Sequence, residues 1–124
     1  MEYNFLYPNV QIGERTSIGR WCEIGMPVSD GRSFSPNVVI GSDSVIRSMT
    51  VLYTGGRFGQ SFATGHRVLV RECVNAGDSV SIGSGSEIEQ NTKIGNRVRI
   101  HSSCFIAENT QIDDDVRVAP GVKM

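Results

Sequence analysis

The chain has 124 residues and a formal net charge of −1, which predicts one domain and gives no sign of a nucleic-acid or anionic-membrane partner. No stretch approaches the ~20 apolar residues of a membrane span, and the opening residues lack the basic start and apolar run of a signal peptide. Three cysteines without a CxxC spacing predict reduced thiols and a cytoplasmic protein.

A six-residue period begins near the N-terminus. Isoleucine followed by glycine recurs at Ile12-Gly13, Ile18-Gly19 and Ile24-Gly25. The next isoleucine in the series, Ile40, comes 16 residues after Ile24, which is not a multiple of six. The intervening segment, about residues 26–39, is rich in Ser, Pro and Gly and is predicted to be a loop thrown out from a corner of the fold.

From Ile40 to the last residue, one position in six is almost always apolar. The series reads Ile40, Ile46, Leu52, Phe58, Thr64, Val70, Ala76, Ile82, Ile88, Ile94, Ile100, Ile106, Ile112, Val118, Met124. A helix period of 3.6 does not explain this series, whereas a parallel β-helix of hexapeptides does. Glycines recur 18 residues apart at Gly41, Gly59, Gly77 and Gly95. Three hexads therefore make one triangular coil, and about five coils are predicted in a single β-helix domain covering residues 1–124.

The residues that flank each inward position define three outer faces. The face that includes Asn75 and Lys93 is polar and is expected to see water. A second face carries large apolar side chains outside the core, at Val51, Leu69 and Phe105, and this predicts a subunit contact. The third face mixes small side chains with arginines, at Arg47, Arg99 and Arg117. Cys22 and Cys104 occupy the small inward position of their hexads and are predicted to be core residues.

Two histidines are the candidates for chemistry. His66 is predicted at a corner, next to Thr64, the one polar residue of the inward series. A break in the fold rule beside a titratable residue points to function, and an imidazole near neutral pKa suits a general base. A surface role for His66 is equally compatible with these features. A three-histidine metal site would need a third histidine beside His66 and His101, and the chain has none, so no metal is expected.

The hexads resemble those of the left-handed β-helix acyltransferases. The segments from Val39 to Tyr53, from Phe62 to Glu72 and from Ile94 to Ser102 are similar to the branch that acetylates amino groups on nucleotide-linked deoxysugars. The resemblance implies an all-β, left-handed parallel β-helix, a homotrimer, acetyl-CoA as acyl donor and a sugar or nucleotide-sugar acceptor in a groove between subunits. Members of this branch continue into further coils that pack against coenzyme A, and those coils are expected to be absent here.

By position, the resemblance gives His66 the role of catalytic base. Thr64, Arg71 and Glu72 are then candidates for substrate binding, with Glu72 orienting an imidazole or the acceptor and Arg71 meeting a phosphate. An equally good interpretation of Arg71 is a surface ion pair with Glu89, one coil away. The function predicted first is acyl transfer to an amine or hydroxyl. The alternatives are a non-catalytic trimeric scaffold or binding module and, less favoured, a metal-dependent enzyme of the carbonic anhydrase type.

Overall fold

The chain folds into a stack of very short parallel strands. In the computed structural model, which describes residues 3–124, there are 18 strands and no helix, hence none long and apolar enough to cross a membrane. The strands are β1 Phe5–Leu6, β2 Val10–Ile12, β3 Ser17–Ile18, β4 Glu23–Met26, β5 Val38–Ile40, β6 Val45–Ile46, β7 Val51–Tyr53, β8 Arg57–Phe58, β9 Ala63–Thr64, β10 Leu69–Val70, β11 Asn75–Ala76, β12 Ser81–Ile82, β13 Glu87–Ile88, β14 Lys93–Ile94, β15 Arg99–Ile100, β16 Phe105–Ile106, β17 Gln111–Ile112 and β18 Arg117–Val118.

The strands form three parallel sheets, each with six members. Sheet A contains β1, β4, β7, β10, β13 and β16; sheet B contains β2, β5, β8, β11, β14 and β17; sheet C contains β3, β6, β9, β12, β15 and β18. In sheet C, Ile82 pairs with Thr64 on one side and with Ile100 on the other, which confirms the predicted 18-residue coil. About six coils are present rather than about five, because the N-terminal block stacks on the later coils through pairs such as Ile12 with Ile40.

The inward series forms a narrow core along the axis of the stack. Ile46, Ile82 and Ile100 are each 1% exposed. The inward side chains differ in size at Phe58 and Ala76, yet the core stays filled there. Phe58 stacks on Phe62 with ring centroids 4.5 Å apart, and it pairs with the small Ala76 in the next coil. Cys22 and Cys104 are buried, as predicted.

Glycine follows many inward residues because the coils approach closely there. A Cβ added to Gly41 would lie 2.6 Å from the carbonyl carbon of Gly59 in the next coil, too close for any larger residue without a shift of the backbone. The same crowding holds at Gly83 against the amide of Ser102. The glycine columns read from the sequence are therefore a condition of coil stacking.

The break in the hexads is a loop of residues 27–37, between the end of β4 and the start of β5. The loop folds back over the corner between sheets A and B, which is called here the A–B corner. Arg57 donates from a terminal guanidinium nitrogen to the Pro36 carbonyl at 2.9 Å, and the Thr54 hydroxyl bonds to the side chain of Asn37. Phe34 packs against Gly55, so the loop is anchored to the A–B corner of the coil that follows it.

The outer faces match their predicted character in part. Asn75, Lys93 and Gln111 on sheet B are exposed. On sheet A, Phe105 is 37% exposed, whereas Val51 and Leu69 are half-buried. Larger exposed apolar groups lie in the first coil, which sequence reasoning did not single out: Tyr3, Phe5, Leu6 and Trp21.

Candidate functional site

His66 lies on the outside of the corner that joins sheet C to sheet A, called here the C–A corner. It follows β9, and the next residue, Arg67, turns the chain with a φ of 55°. The imidazole is exposed, and its Nδ1 lies 2.7 Å from the hydroxyl of Ser48 in the preceding coil. The His66 amide donates to the Ser84 hydroxyl at 2.9 Å in the following coil. Serines in the two neighbouring coils thus hold the backbone and the ring of His66.

The contact with Ser48 is compatible with the imidazole tautomer of His66 that carries its proton on Nδ1. When Nδ1–H donates to the Ser48 hydroxyl oxygen, Nε2 carries the lone pair that a general base needs. Among residues 3–124, Ser48 is the one side chain that hydrogen-bonds to the His66 ring. Sequence reasoning did not assign Ser48 a role, although Ser48 precedes His66 by one 18-residue coil and that spacing could have identified the pair.

Thr64 lies inside the core and is only 1% exposed. Its hydroxyl oxygen accepts from the Arg47 amide at 3.1 Å and lies 3.3 Å from the Thr50 hydroxyl. Thr50 in turn donates to the Gly65 carbonyl at 3.2 Å, immediately before His66. The polar residue in the inward series is therefore bonded within the fold, and it braces the chain leading to His66 while its hydroxyl points away from solvent.

Glu72 and Arg71 lie at the A–B corner, at the other edge of sheet A from His66. The Glu72 side chain is 10% exposed, and Arg71 donates from Nε to its carboxylate at 3.0 Å. A terminal guanidinium nitrogen of Arg32, from the loop of residues 27–37, lies 3.6 Å from the other carboxylate oxygen. Within one subunit, Glu72 and His66 therefore lie at different corners and cannot act on the same substrate atom.

The expected ion pair between Arg71 and Glu89 is not among the ion pairs of residues 3–124. The Arg71 guanidinium lies 4.6 Å from the centre of the Tyr53 ring, toward the preceding coil. The buried carboxylate of Glu72 and the face of Tyr53 together draw Arg71 away from Glu89, because each offers a less hydrated partner for the cation.

A shallow groove of about 290 Å³ runs over sheet C beside His66, with Arg47 at one end and Arg99 at the other. Ala63, Ser81 and Gly83 form its floor. A second hollow shares Arg47 with this groove and is lined by Ser48 and His66. For a metal, the described part of the chain brings no three His, Cys, Asp or Glu side chains together.

Comparisons with known proteins agree with this architecture. A family model described as Bacterial transferase hexapeptide (six repeats) matches residues 91–124. The acetyltransferase domain of PglB from Neisseria gonorrhoeae superimposes with a TM-score of 0.82 at 12% identity, over 97% of this chain and 53% of that one. In complex with acetyl coenzyme A, the same domain gives 0.73 at 12% identity, over 93% and 53%.

A second similar structure is PerB from Caulobacter crescentus in complex with CoA and GDP-perosamine. It superimposes with a TM-score of 0.77 at 14% identity, over 94% of this chain and 51% of that one. The chain thus spans about half the length of each of these proteins. No curated protein sequence matches it. The repeat model and the structures confirm the predicted left-handed parallel β-helix of hexapeptide repeats, and they confirm the resemblance to hexapeptide acyltransferases at the level of repeat and fold.

Proposed function

We propose that this protein transfers an acyl group, acetyl in the first instance, from acyl-CoA to an amine or hydroxyl of a sugar or nucleotide-sugar. The observation that carries the proposal is the exposed imidazole of His66, whose Nδ1 is tied to Ser48 and whose Nε2 is left for a substrate. The fold is shared with PglB bound to acetyl coenzyme A and with PerB bound to CoA and GDP-perosamine.

The proposed step uses His66 as a general base. Nε2 takes the proton of the acceptor amine or hydroxyl while the acceptor nitrogen or oxygen attacks the thioester carbonyl. The new C–N or C–O bond forms, the C–S bond breaks, and the thiolate of coenzyme A leaves and takes up a proton. Ser48 keeps the ring in the orientation and tautomer that this step needs.

A homotrimer is part of the proposal. An interface in a cyclic trimer joins two different surfaces of the subunit, so the C–A corner of one subunit can face the A–B corner of the next. His66 of one subunit and Arg71 of its neighbour would then share one groove, with Glu72 holding Arg71 in position for a phosphate. The partly exposed Phe105 on sheet A supplies apolar surface for such an interface.

A cytoplasmic location is proposed because all three cysteines are free thiols.

Steady-state release of coenzyme A thiol, with amino-deoxysugar nucleotides as acceptors, tests the role of His66. We expect His66→Ala to lower kcat by ~10²–10⁴-fold, the usual contribution of a general base. Gln60→Ala is the matched control, because Gln60 occupies the same hexad position at the corner between sheets B and C, is exposed and faces neither groove. Equal rates for wild type and His66→Ala would remove His66 from the mechanism.

The non-catalytic module is favoured by one specific observation. Thr64, Arg71 and Glu72 are all engaged within the fold, so three of the four candidate residues already have partners inside one subunit. Titration calorimetry with acetyl-CoA separates the two functions. A stable trimer that binds no acetyl-CoA supports the scaffold, whereas binding with slow turnover supports the enzyme.

A further inference from the structure

Positive and negative side chains lie on different sides of the β-helix, although the net charge of the chain is only −1. Five arginines lie on the outer side of sheet C or at the C–A corners: Arg20, Arg47, Arg67, Arg99 and Arg117. Every Asp and Glu of residues 3–124 lies instead on sheets A and B, at the other two corners, or in the loop of residues 27–37. The side formed by sheet C and the C–A corners, called here the basic face, therefore carries cations without any carboxylate.

The arginines of the basic face lack the ion pairs that other arginines make. At the corner between sheets B and C, Arg15 donates to Asp43 at 2.6 Å and Arg97 donates to Asp115 at 2.7 Å. Of the ion pairs in residues 3–124, none involves an arginine of the basic face. Unneutralised guanidinium groups on one side attract anions and bind phosphate oxygens in a bidentate manner.

The groove on sheet C gives this charge a defined shape. Arg47 and Arg99 stand three coils apart, about 14 Å at the spacing of neighbouring strands, and the residues between them are small or hydroxylic, such as Ala63 and Ser81. Long side chains at both ends can reach toward a ligand that lies on this floor. Arg47 also lines the second hollow, which contains His66, so the groove and the hollow are continuous at Arg47. A ligand bound in the groove can therefore reach His66, the proposed base.

We infer that the groove between Arg47 and Arg99 binds the diphosphate group of a substrate whose reacting end lies at His66. The inference rests on the proposed function for the position of that end, but the diphosphate site itself stands on the charge and shape of the basic face. Two substrates of an acyl-CoA:nucleotide-sugar reaction carry a diphosphate ester, the donor and the acceptor, and both have the chemistry that the groove recognises.

A linear polyanion fits the face less well than a compact diphosphate. The groove is bounded by an arginine at each end. Base stacking on aromatic side chains contributes much of the binding of single-stranded nucleic acids. The exposed aromatic residues of the basic face, Tyr3 and Trp21, lie together in the first coil, well away from the floor at Ser81.

Calorimetry with inorganic pyrophosphate, free coenzyme A and UDP tests the site without requiring turnover. We expect wild type to bind pyrophosphate, and Arg47→Gln and Arg99→Gln each to weaken binding about tenfold or more, as for loss of a charged hydrogen bond. Arg15→Gln and Arg97→Gln remove the same charge from the corner between sheets B and C and should bind like wild type. Coenzyme A and UDP are then compared in the Arg47→Gln and Arg99→Gln variants. The one whose affinity falls by the same factor as that of pyrophosphate is the substrate that supplies the diphosphate.

Three results would overturn the inference. Wild type that binds none of the three probes has no such site. Equal weakening by Arg97→Gln and Arg47→Gln would mean a diffuse field and no defined groove. Affinity that grows with the length of an oligonucleotide, without binding of pyrophosphate, would assign the face to a polyanion. His66→Ala separates this site from the proposed function, because pyrophosphate should bind that variant like wild type whether or not wild type transfers acyl groups.

Discussion

Arg32 of the loop of residues 27–37 lies 3.6 Å from the carboxylate of Glu72, two coils further along the helix than the strand from which the loop departs. The same carboxylate accepts from Arg71 at 3.0 Å. Glu72 therefore links the loop to the A–B corner, and the carboxylate tolerates its low exposure because two guanidinium groups face it.

Loss of the Glu72 charge should loosen the loop. We expect Glu72→Gln to lower the free energy of unfolding by about 1–3 kcal/mol, the usual effect of removing a hydrogen bond to a charged group, and to speed trypsin cleavage after the exposed Arg32. Urea unfolding and timed proteolysis measure the two effects. Glu108→Gln, at the same hexad position two coils later and exposed, should change neither. Unchanged cleavage in Glu72→Gln would show that Glu72 does not hold the loop.

Ser48 should act on the reaction through His66. If the proposed acyl transfer is detected, Ser48→Ala is expected to lower kcat roughly tenfold with little change in KM, because one hydrogen bond of about 1–1.5 kcal/mol that orients the ring is lost. Ser48→Thr keeps a hydroxyl and should recover most of the rate. Ser42→Ala is the control at the equivalent position of another corner, where the serine hydroxyl accepts from the Glu14 amide. A change in KM alone would assign Ser48 to substrate binding.

Phe62 should be one of the most sensitive core positions. Its side chain is fully buried, and its ring stacks on Phe58 at 4.5 Å. We expect Phe62→Ala to cost about 3–5 kcal/mol in the free energy of unfolding, because a narrow core collapses poorly around a cavity. Phe5→Ala, at a side chain 56% exposed, should cost far less. Urea titrations decide this, and equal losses for both variants would contradict the axial core.

The cysteines should differ in reactivity in a fixed order. Cys22 and Cys104 are buried and Cys73 is partly exposed, and burial raises the pKa of the Cys22 thiol. Iodoacetamide at mildly alkaline pH should modify Cys73 first, as followed by mass spectrometry, and all three at similar rates in urea. Cys73→Ser should abolish the fast phase.

The raised pKa of Cys22 also predicts a dependence of stability on pH. The folded state holds the neutral thiol, so its contribution is full below the pKa of the unfolded chain and is lost as pH rises toward the raised pKa of the folded one. Cys22→Ala should therefore flatten the fall in stability on the alkaline side, measured by urea titrations at several pH values. A slope that is unchanged in Cys22→Ala would contradict this assignment.

Much of the fold could be predicted from the sequence because hexapeptide repeats encode it locally. Each inward residue repeats the same environment, so the series from Ile40 determines the coil length, the buried positions of Ile82 and Ile100, and the glycine columns without knowledge of distant contacts. Even the loop of residues 27–37 was visible as a break in phase.

The site was predictable only as separate residues, because its contacts run between coils and between corners. Reading along the chain placed His66, Arg71 and Glu72 in one segment, yet six residues in this fold carry the chain from one corner to the next, and His66 and Glu72 come to lie on opposite edges of sheet A. Arg71 took Glu72 and Tyr53 as partners where the spacing suggested Glu89.

The sequence by itself determined the six-residue period, the 18-residue coil and the all-β architecture, since those depend on side-chain size at repeating positions. Only the tertiary structure decided that Ser48 meets the ring of His66, that Thr64 is satisfied inside the core, and that no ion pair of residues 3–124 involves the arginines on the side of sheet C. The reason is that the winding of the coils makes neighbours of residues 18 positions apart and places charged side chains on particular faces. A net charge of −1 is a sum over all three faces and does not show this separation.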